Sequence, residues 1–148
     1  MDPIALLKAD HDEVKALLGK LDKTTERAEV TRTDGLEVLR RKLDVHETIE
    51  EEILYPALEE YAKTKDIALE AFEEHHVVDM VMSELEATPV TDDTWAAKLT
   101  VAKENLEHHI EEEEGEMFKQ ARQVMDSAEL DEIGDRLAER KRELLAEG

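Results

Sequence analysis

The chain has 148 residues, 41% of them hydrophobic, with 40 acidic against 19 basic side chains, a formal charge of −21 and no cysteine. At ~100–200 residues per domain it is expected to form one domain, residues 1–148, with a real core. The charge repels phosphate backbones and anionic lipid, and the missing cysteines exclude disulfides, thiolate metal sites and cysteine nucleophiles.

Leu, Ala, Glu and Lys dominate, and the few aromatics and glycines argue against strands, so the chain reads as all-α. Asp2 followed by Pro3 is an N-cap with proline in the first turn, starting a helix that runs to about Thr24. The stretch Ala28 to Gly35 reads as a loop, with Thr33 or Asp34 capping a second helix through Leu36, Leu39 and Leu43 to Leu54, where Pro56 weakens or bends it. A third helix covers about Asp66 to Ala87, stopping at Thr88-Pro89. The cluster Thr91-Asp92-Asp93-Thr94 caps a fourth that continues to about Met125. A short fifth helix is expected from about Ser127 to Ala146. Four helices of this length with short connections favour an up-down-up-down antiparallel four-helix bundle over about residues 2–125, followed by the C-terminal helix at about 127–146. No apolar run approaches the ~18 residues of a membrane span and no signal peptide is visible, so a cytoplasmic location is expected.

Six histidines are present, and their direction matters more than their number. At 100° per residue, His11 shares a face with Ile4, Leu7, Val14 and Leu18. His46 shares one with Leu39, Leu43 and Ile53; His75 with Ala68, Ala71, Val78 and Met82; His109 with Trp95, Ala102 and Leu106. His76 and His108 fall about 100° off their core faces. Glu50 follows His46 by four residues and Glu113 follows His109 by four, so each pair offers a nitrogen and a carboxylate to one point. A single inward histidine is ordinarily a satisfied core residue, but four histidines and two glutamates converging from four helices are costly as packing alone. A metal removes the buried negative charge.

Nitrogen and carboxylate ligands without sulfur suit iron, manganese or zinc. Four imidazoles and two carboxylates exceed one tetrahedral zinc and match two metals bridged by carboxylates. If both glutamates bridge, about two of the positions on two octahedral ions sharing an oxo or hydroxo bridge stay open to a small molecule.

The segments Asp-His11-Asp, His46-Glu-Thr-Ile-Glu50-Glu-Glu-Ile-Leu-Tyr-Pro, Glu-His75-His and His108-His109-Ile-Glu-Glu-Glu113 resemble the hemerythrin family, specifically its bacterial HHE cation-binding group, from about Ala9 to Met117. The resemblance implies a non-haem di-iron centre with Glu50 and Glu113 bridging and His11, His46, His75 and His109 as terminal ligands. It also marks departures. Oxygen-carrying hemerythrins have a further histidine four residues after the third, where this chain has Asp79, and their helix-4 acid is spaced differently. Asp79 lies about 40° from His75 and is a possible additional ligand or neighbour of one. Tyr55 regularly points away from His46, and only a bend at Pro56 brings it inward as a ligand or second-layer partner.

Ferritin-like oxidases need Glu-x-x-His on two helices, and only Glu73-x-x-His76 fits, with His76 off the core. Two functional readings remain. One is a di-iron oxidoreductase consuming hydrogen peroxide, nitric oxide or dioxygen, favoured by the reduced histidine set and open positions. The other is a module that binds oxygen reversibly or senses iron and redox state without turnover. No acid–base pair outside the metal shell is evident, so no catalytic side chain is assigned. A small diatomic or peroxide is the expected partner.

Overall fold

The computed structural model describes residues 1–148 and is helical throughout, without a strand. Helix α1 spans Pro3–Asp22, and the Asp2 carboxylate accepts the Ile4 N–H at 2.9 Å, as the Asp-Pro start predicts. Helix α2 spans Glu29–Ile49 and runs through a π-helical turn, π1 (Glu50–Leu54), into α3 (Tyr55–Glu59). Helix α4 covers Lys65–Glu86. Helix α5 (Trp95–Glu112) continues through a second π-helical turn, π2 (Glu113–Met117), into α6 (Phe118–Val124). Helix α7 spans Ser127–Glu147, with the Asp126 carboxylate capping the Glu129 N–H at 2.9 Å.

Three expectations are corrected. Helix α2 begins at Glu29, four residues or more before the expected caps Thr33 and Asp34. Its first turns are held by tertiary contacts that local propensity does not register. The buried Arg32 guanidinium donates to Thr24 Oγ1 (2.9 Å), Thr24 O (3.0 Å) and Val90 O (2.6 Å) and stacks 4.3 Å over the Trp95 ring. Gly35, read as loop punctuation, is a helix-packing contact: a Cβ there would come within 2.6 Å of Leu21 Cδ2. The second helix is disturbed before Pro56, as expected, but does not stop at Leu54: a π-helical turn absorbs the mismatch and the helix resumes to Glu59. The fifth helix is not short: at 21 residues it equals α2, and it lies against α1 and α2. Gly134 permits that approach, since a Cβ there would meet the Met1 carbonyl at 1.7 Å.

The apolar side chains form two cores. One is built around Ile4, Leu7, Ile53, Leu58, Phe118 and Leu137, the other around Leu18, Leu39, Leu43, Met82, Trp95 and Leu99. Between the two in chain order on α1, α2, α4 and the α5–α6 run comes a buried polar residue: His11, His46, His75 or His109.

Candidate metal centre

Helices α1, α2, α4 and α5 each deliver one inward histidine because that residue occupies the apolar stripe of an amphipathic helix. His11, His46, His75 and His109 are all buried, as are Glu50 and Glu113, at 0% and 1% exposure. His76 and His108 are exposed. The donor atoms gather into two groups, His11–His46–Glu50–Glu113 and Glu50–His75–His109–Glu113, each with all its atoms within 4.8 Å of one another. The two glutamates are common to both groups.

The contacts between these donors are close but chemically mismatched. His11 Nε2 lies 3.1 Å from Glu113 Oε1, His46 Nε2 and His75 Nε2 each 3.2 Å from Glu50 Oε1, and His109 Nε2 3.0 Å from Glu113 Oε2. On the far side of every ring, Nδ1 faces a second carboxylate: Glu114 for His11 (2.6 Å), Asp10 for His46 (2.9 Å), Glu51 for His75 (2.9 Å) and Glu74 for His109 (2.8 Å). A carboxylate only accepts, so each Nδ1–H donates outward and the neutral ring turns its Nε2 lone pair toward Glu50 or Glu113. Lone pairs then face lone pairs. His11 Nε2, His46 Nε2, Glu50 Oε2 and Glu113 Oε1 are buried without a hydrogen-bond partner. Such orphaned acceptors, grouped and dry, fit a cation of high charge.

Protons are the only other neutraliser, and the acid–base balance shows it. Burial pulls His46 down, but Glu50 and Asp10 outweigh it and hold its pKa up at about 10. Burial likewise opposes His75, yet Glu50 and Glu51 raise it to about 9. His109 is held well above its ordinary value, against burial, by Glu113 and Glu74. Glu113, in return, stays well below the ordinary carboxylate range despite its burial, because His109 and its neighbours outweigh that cost. Without a metal, imidazolium cations fill the charge deficit.

The π-helical turns explain the placement of Tyr55. Each starts at a shared glutamate, and its i→i+5 bond runs from the Tyr55 N–H to Glu50 O in π1 and from the Phe118 N–H to Glu113 O in π2. One extra residue per turn rotates everything after it by about 100°. Five regular residues would leave Tyr55 about 140° from Glu50; the inserted residue reduces this to about 40°. The Tyr55 hydroxyl therefore lies inside the centre, bonded to Glu113 and lying 3.2 Å from Glu50 Oε1, 3.1 Å from His75 Nε2 and 3.5 Å from His109 Nε2. Its ring is fully buried and packs edge-on against Phe72. Burial and the two glutamates raise its pKa well above the ordinary value, so it holds its proton in the metal-free protein.

Asp79 is not brought into either group. Its carboxylate turns toward α2, where Arg40 Nη1 pairs with it at 3.3 Å, and 41% of its side chain is exposed.

Several functional neighbours were not evident from the helical pattern. Asp10 and Glu74 immediately precede His11 and His75; Glu51 and Glu114 immediately follow Glu50 and Glu113. Each binds the histidine of a different helix, so an acid beside four of the six inward ligands was the available signal. Asp10 differs from the other three: it is buried and its second oxygen takes Lys141 of α7 at 2.5 Å. Glu47 is also buried, and its Oε1 has no hydrogen-bond partner. Burial, with Asp79 and Glu51 beside it and His75 opposing, pushes its pKa up to about 8.

Comparison with known proteins agrees with this arrangement. The family model of the hemerythrin HHE cation binding domain matches residues 2–121. The chain belongs to the hemerythrin HHE cation-binding family. It is similar to the uncharacterized proteins Rv2633c of Mycobacterium tuberculosis and Mb2666c of Mycobacterium bovis, at 32% identity over 97% of this chain and 88% of theirs. Among solved structures it resembles the HHE cation-binding domain-containing Rv2633c homolog of Mycobacterium kansasii, with a TM-score of 0.85 and 32% identity over 97% of this chain and 87% of that one. The family, the all-helical hemerythrin-like fold and the buried His/Glu groups are thus in accord. No helix is long and apolar enough to cross a membrane.

Proposed function

We propose that this HHE protein holds two iron ions, bridged by Glu50 and Glu113 within an up-down-up-down four-helix bundle, and that the centre reacts with a small oxidant. Hydrogen peroxide and nitric oxide are the favoured substrates, with dioxygen a third. The observation that carries the reading is the pair of buried glutamates common to two donor groups, each with an unpartnered oxygen. His11 and His46 would hold one ion; His75, His109 and the Tyr55 oxygen would hold the other. Nitrogen and oxygen donors in this number suit iron and overfill zinc. When bound, the pair would supply the redox equivalents of the reaction.

The protein contributes position, dryness and proton control. The carboxylates on Nδ1 fix each ring's orientation and tautomer. On the opposite side from Tyr55, a cavity of about 10 Å³ touches all four histidines and is walled by Val14, Leu43, Val78, Leu106 and Ile110. That is the room of about one water, a scale that excludes any substrate larger than a few atoms. The apolar walls keep bulk water out, and Glu47 is the one carboxyl outside the donor set that borders the cavity.

A carrier or sensor would use the same residues, and the reaction separates the readings. Diferric protein mixed with peroxide is expected to consume it well above free iron, with oxygen evolution marking dismutation. A long-lived, reversible oxygenated species without peroxide consumption would overturn the enzymatic reading in favour of a carrier or sensor.

A further inference from the structure

Four carboxylates hold the Nδ1 atoms of the inward histidines, and they are not equivalent. Asp10 is neutralised by Lys141. Glu114 pairs with His11 alone. Glu74 belongs to a group with His108 and Glu112 that lies at the surface. Glu51 differs from all three, because a second carboxyl, Glu47, stands beside it on the inner side.

Glu47, Glu51 and His75 present donor atoms within 4.8 Å of one another. Glu47 is 6% exposed and one of its oxygens has no partner. The nearby Arg40 does not neutralise it, being engaged by Asp79, Asp44 and Glu86 at 3.3–3.4 Å. A buried carboxyl oxygen left without a partner is costly, and neither helix packing nor the two inner donor groups use this one.

The position of this trio is informative. Outside it is a cleft of about 410 Å³ lined by Glu51, Phe72, Glu73, His75, His76 and Asp79. Inside it is the small cavity that touches all four histidines and Glu47. His75 lines both spaces, with Nδ1 toward Glu51 and Nε2 toward Glu50. The trio therefore lies between an acidic, solvent-reached cleft and the interior of the centre.

We propose that Glu47, Glu51 and His75, with Asp79 at the mouth, form a transit site through which ferrous iron reaches the buried centre. This rests on the di-iron reading above. A divalent cation drawn by the acidic surface meets Asp79 and Glu51 first, then Glu47, and passes to the inner donors. Asp79 thereby has a role in the cleft rather than as a resident ligand, and the orphaned Glu47 oxygen has a cation as its partner during loading.

The test follows iron uptake, not turnover. Protein stripped of metal by chelation is mixed anaerobically with ferrous iron, and a strong ferrous chelator added after timed intervals reports how much iron has become protected. Glu47→Gln keeps the shape of the side chain and Asp79→Asn touches no inward ligand. Each is expected to slow loading about threefold to tenfold, the double variant further, while the endpoint remains two irons per chain. Glu112→Gln removes one surface charge from the other acidic group and is expected to load at close to the wild-type rate.

Wild-type loading rates in Glu47→Gln and Asp79→Asn would overturn the proposal, as would equal slowing by Glu112→Gln. A Glu47→Gln endpoint short of two irons would also overturn it, making Glu47 part of the resident centre. A wild-type endpoint short of two would overturn the di-iron reading and the transit site with it.

Discussion

Removing one oxygen atom from the centre tests whether the π-helical turn brings Tyr55 inward for a purpose. In Tyr55→Phe the ring keeps its edge-on contact with Phe72 at 5.2 Å, and the loss is confined to a hydroxyl bonded to Glu113 and Glu50. A buried hydrogen bond to a charged group is worth about 1.5–3 kcal/mol. At about 2–4 °C per kcal/mol for a chain of this size, metal-free Tyr55→Phe is expected to melt about 3–12 °C below wild type. On the proposed di-iron reading the hydroxyl would bind iron, so the variant is expected to lose visible phenolate-to-ferric charge-transfer absorption while retaining iron. Thermal melts of the chelated protein and absorption spectra of the loaded one are the assays. An unchanged melt together with an unchanged visible spectrum would refute the placement of Tyr55 in the centre.

His46→Ala and Glu113→Ala are expected to lose iron, whereas His76→Ala and His108→Ala, both at the surface, should leave iron content and melting unchanged; metal analysis checks both pairs. Metal-free protein should lose stability as pH rises from about 7 to 10. His75 and His46, raised to about 9 and about 10, contribute stability that is fully present below their unfolded value and lost as pH rises through those pKa values; Glu47, raised by burial from 4.5 to about 8, acts in the same direction at lower pH, its loss accruing from about 4.5 and complete once it has ionised. Iron affinity should move the opposite way and rise with pH, because each imidazole must release its proton to bind, so urea melts and iron titrations at pH 6 and 9 should show opposite trends. Arg32→Ala is expected to cost about 3 kcal/mol by loss of three hydrogen bonds and the Trp95 stack, without altering iron content.

The inward direction of His11, His46, His75, His109, Glu50 and Glu113 was legible because helical phase alone determines it, and phase needs only the spacing of apolar residues. The start of α2 was not, because Arg32 and Gly35 act through partners on α1 and in the turn before α5. Tyr55 was half legible. Pro56 signalled a disturbance, but a proline cannot reveal whether a helix bends or gains a residue, and the sign of the rotation decides where Tyr55 points. The outer carboxylates lay in plain sight beside the ligands; that each serves a histidine on another helix is a property of packing. The fifth helix read as an appendage, yet Lys141 reaches Asp10 and through it His46.

The central claim is that one chain holds two irons between shared glutamates. Anomalous-difference density from crystals of protein grown with iron, with data collected on both sides of the iron absorption edge, tests it most directly. Two iron peaks are expected, one between His11 and His46 and one between His75 and His109, with Glu50 and Glu113 lying between them. A single peak, or density that shows the anomalous signal of zinc, would contradict the account.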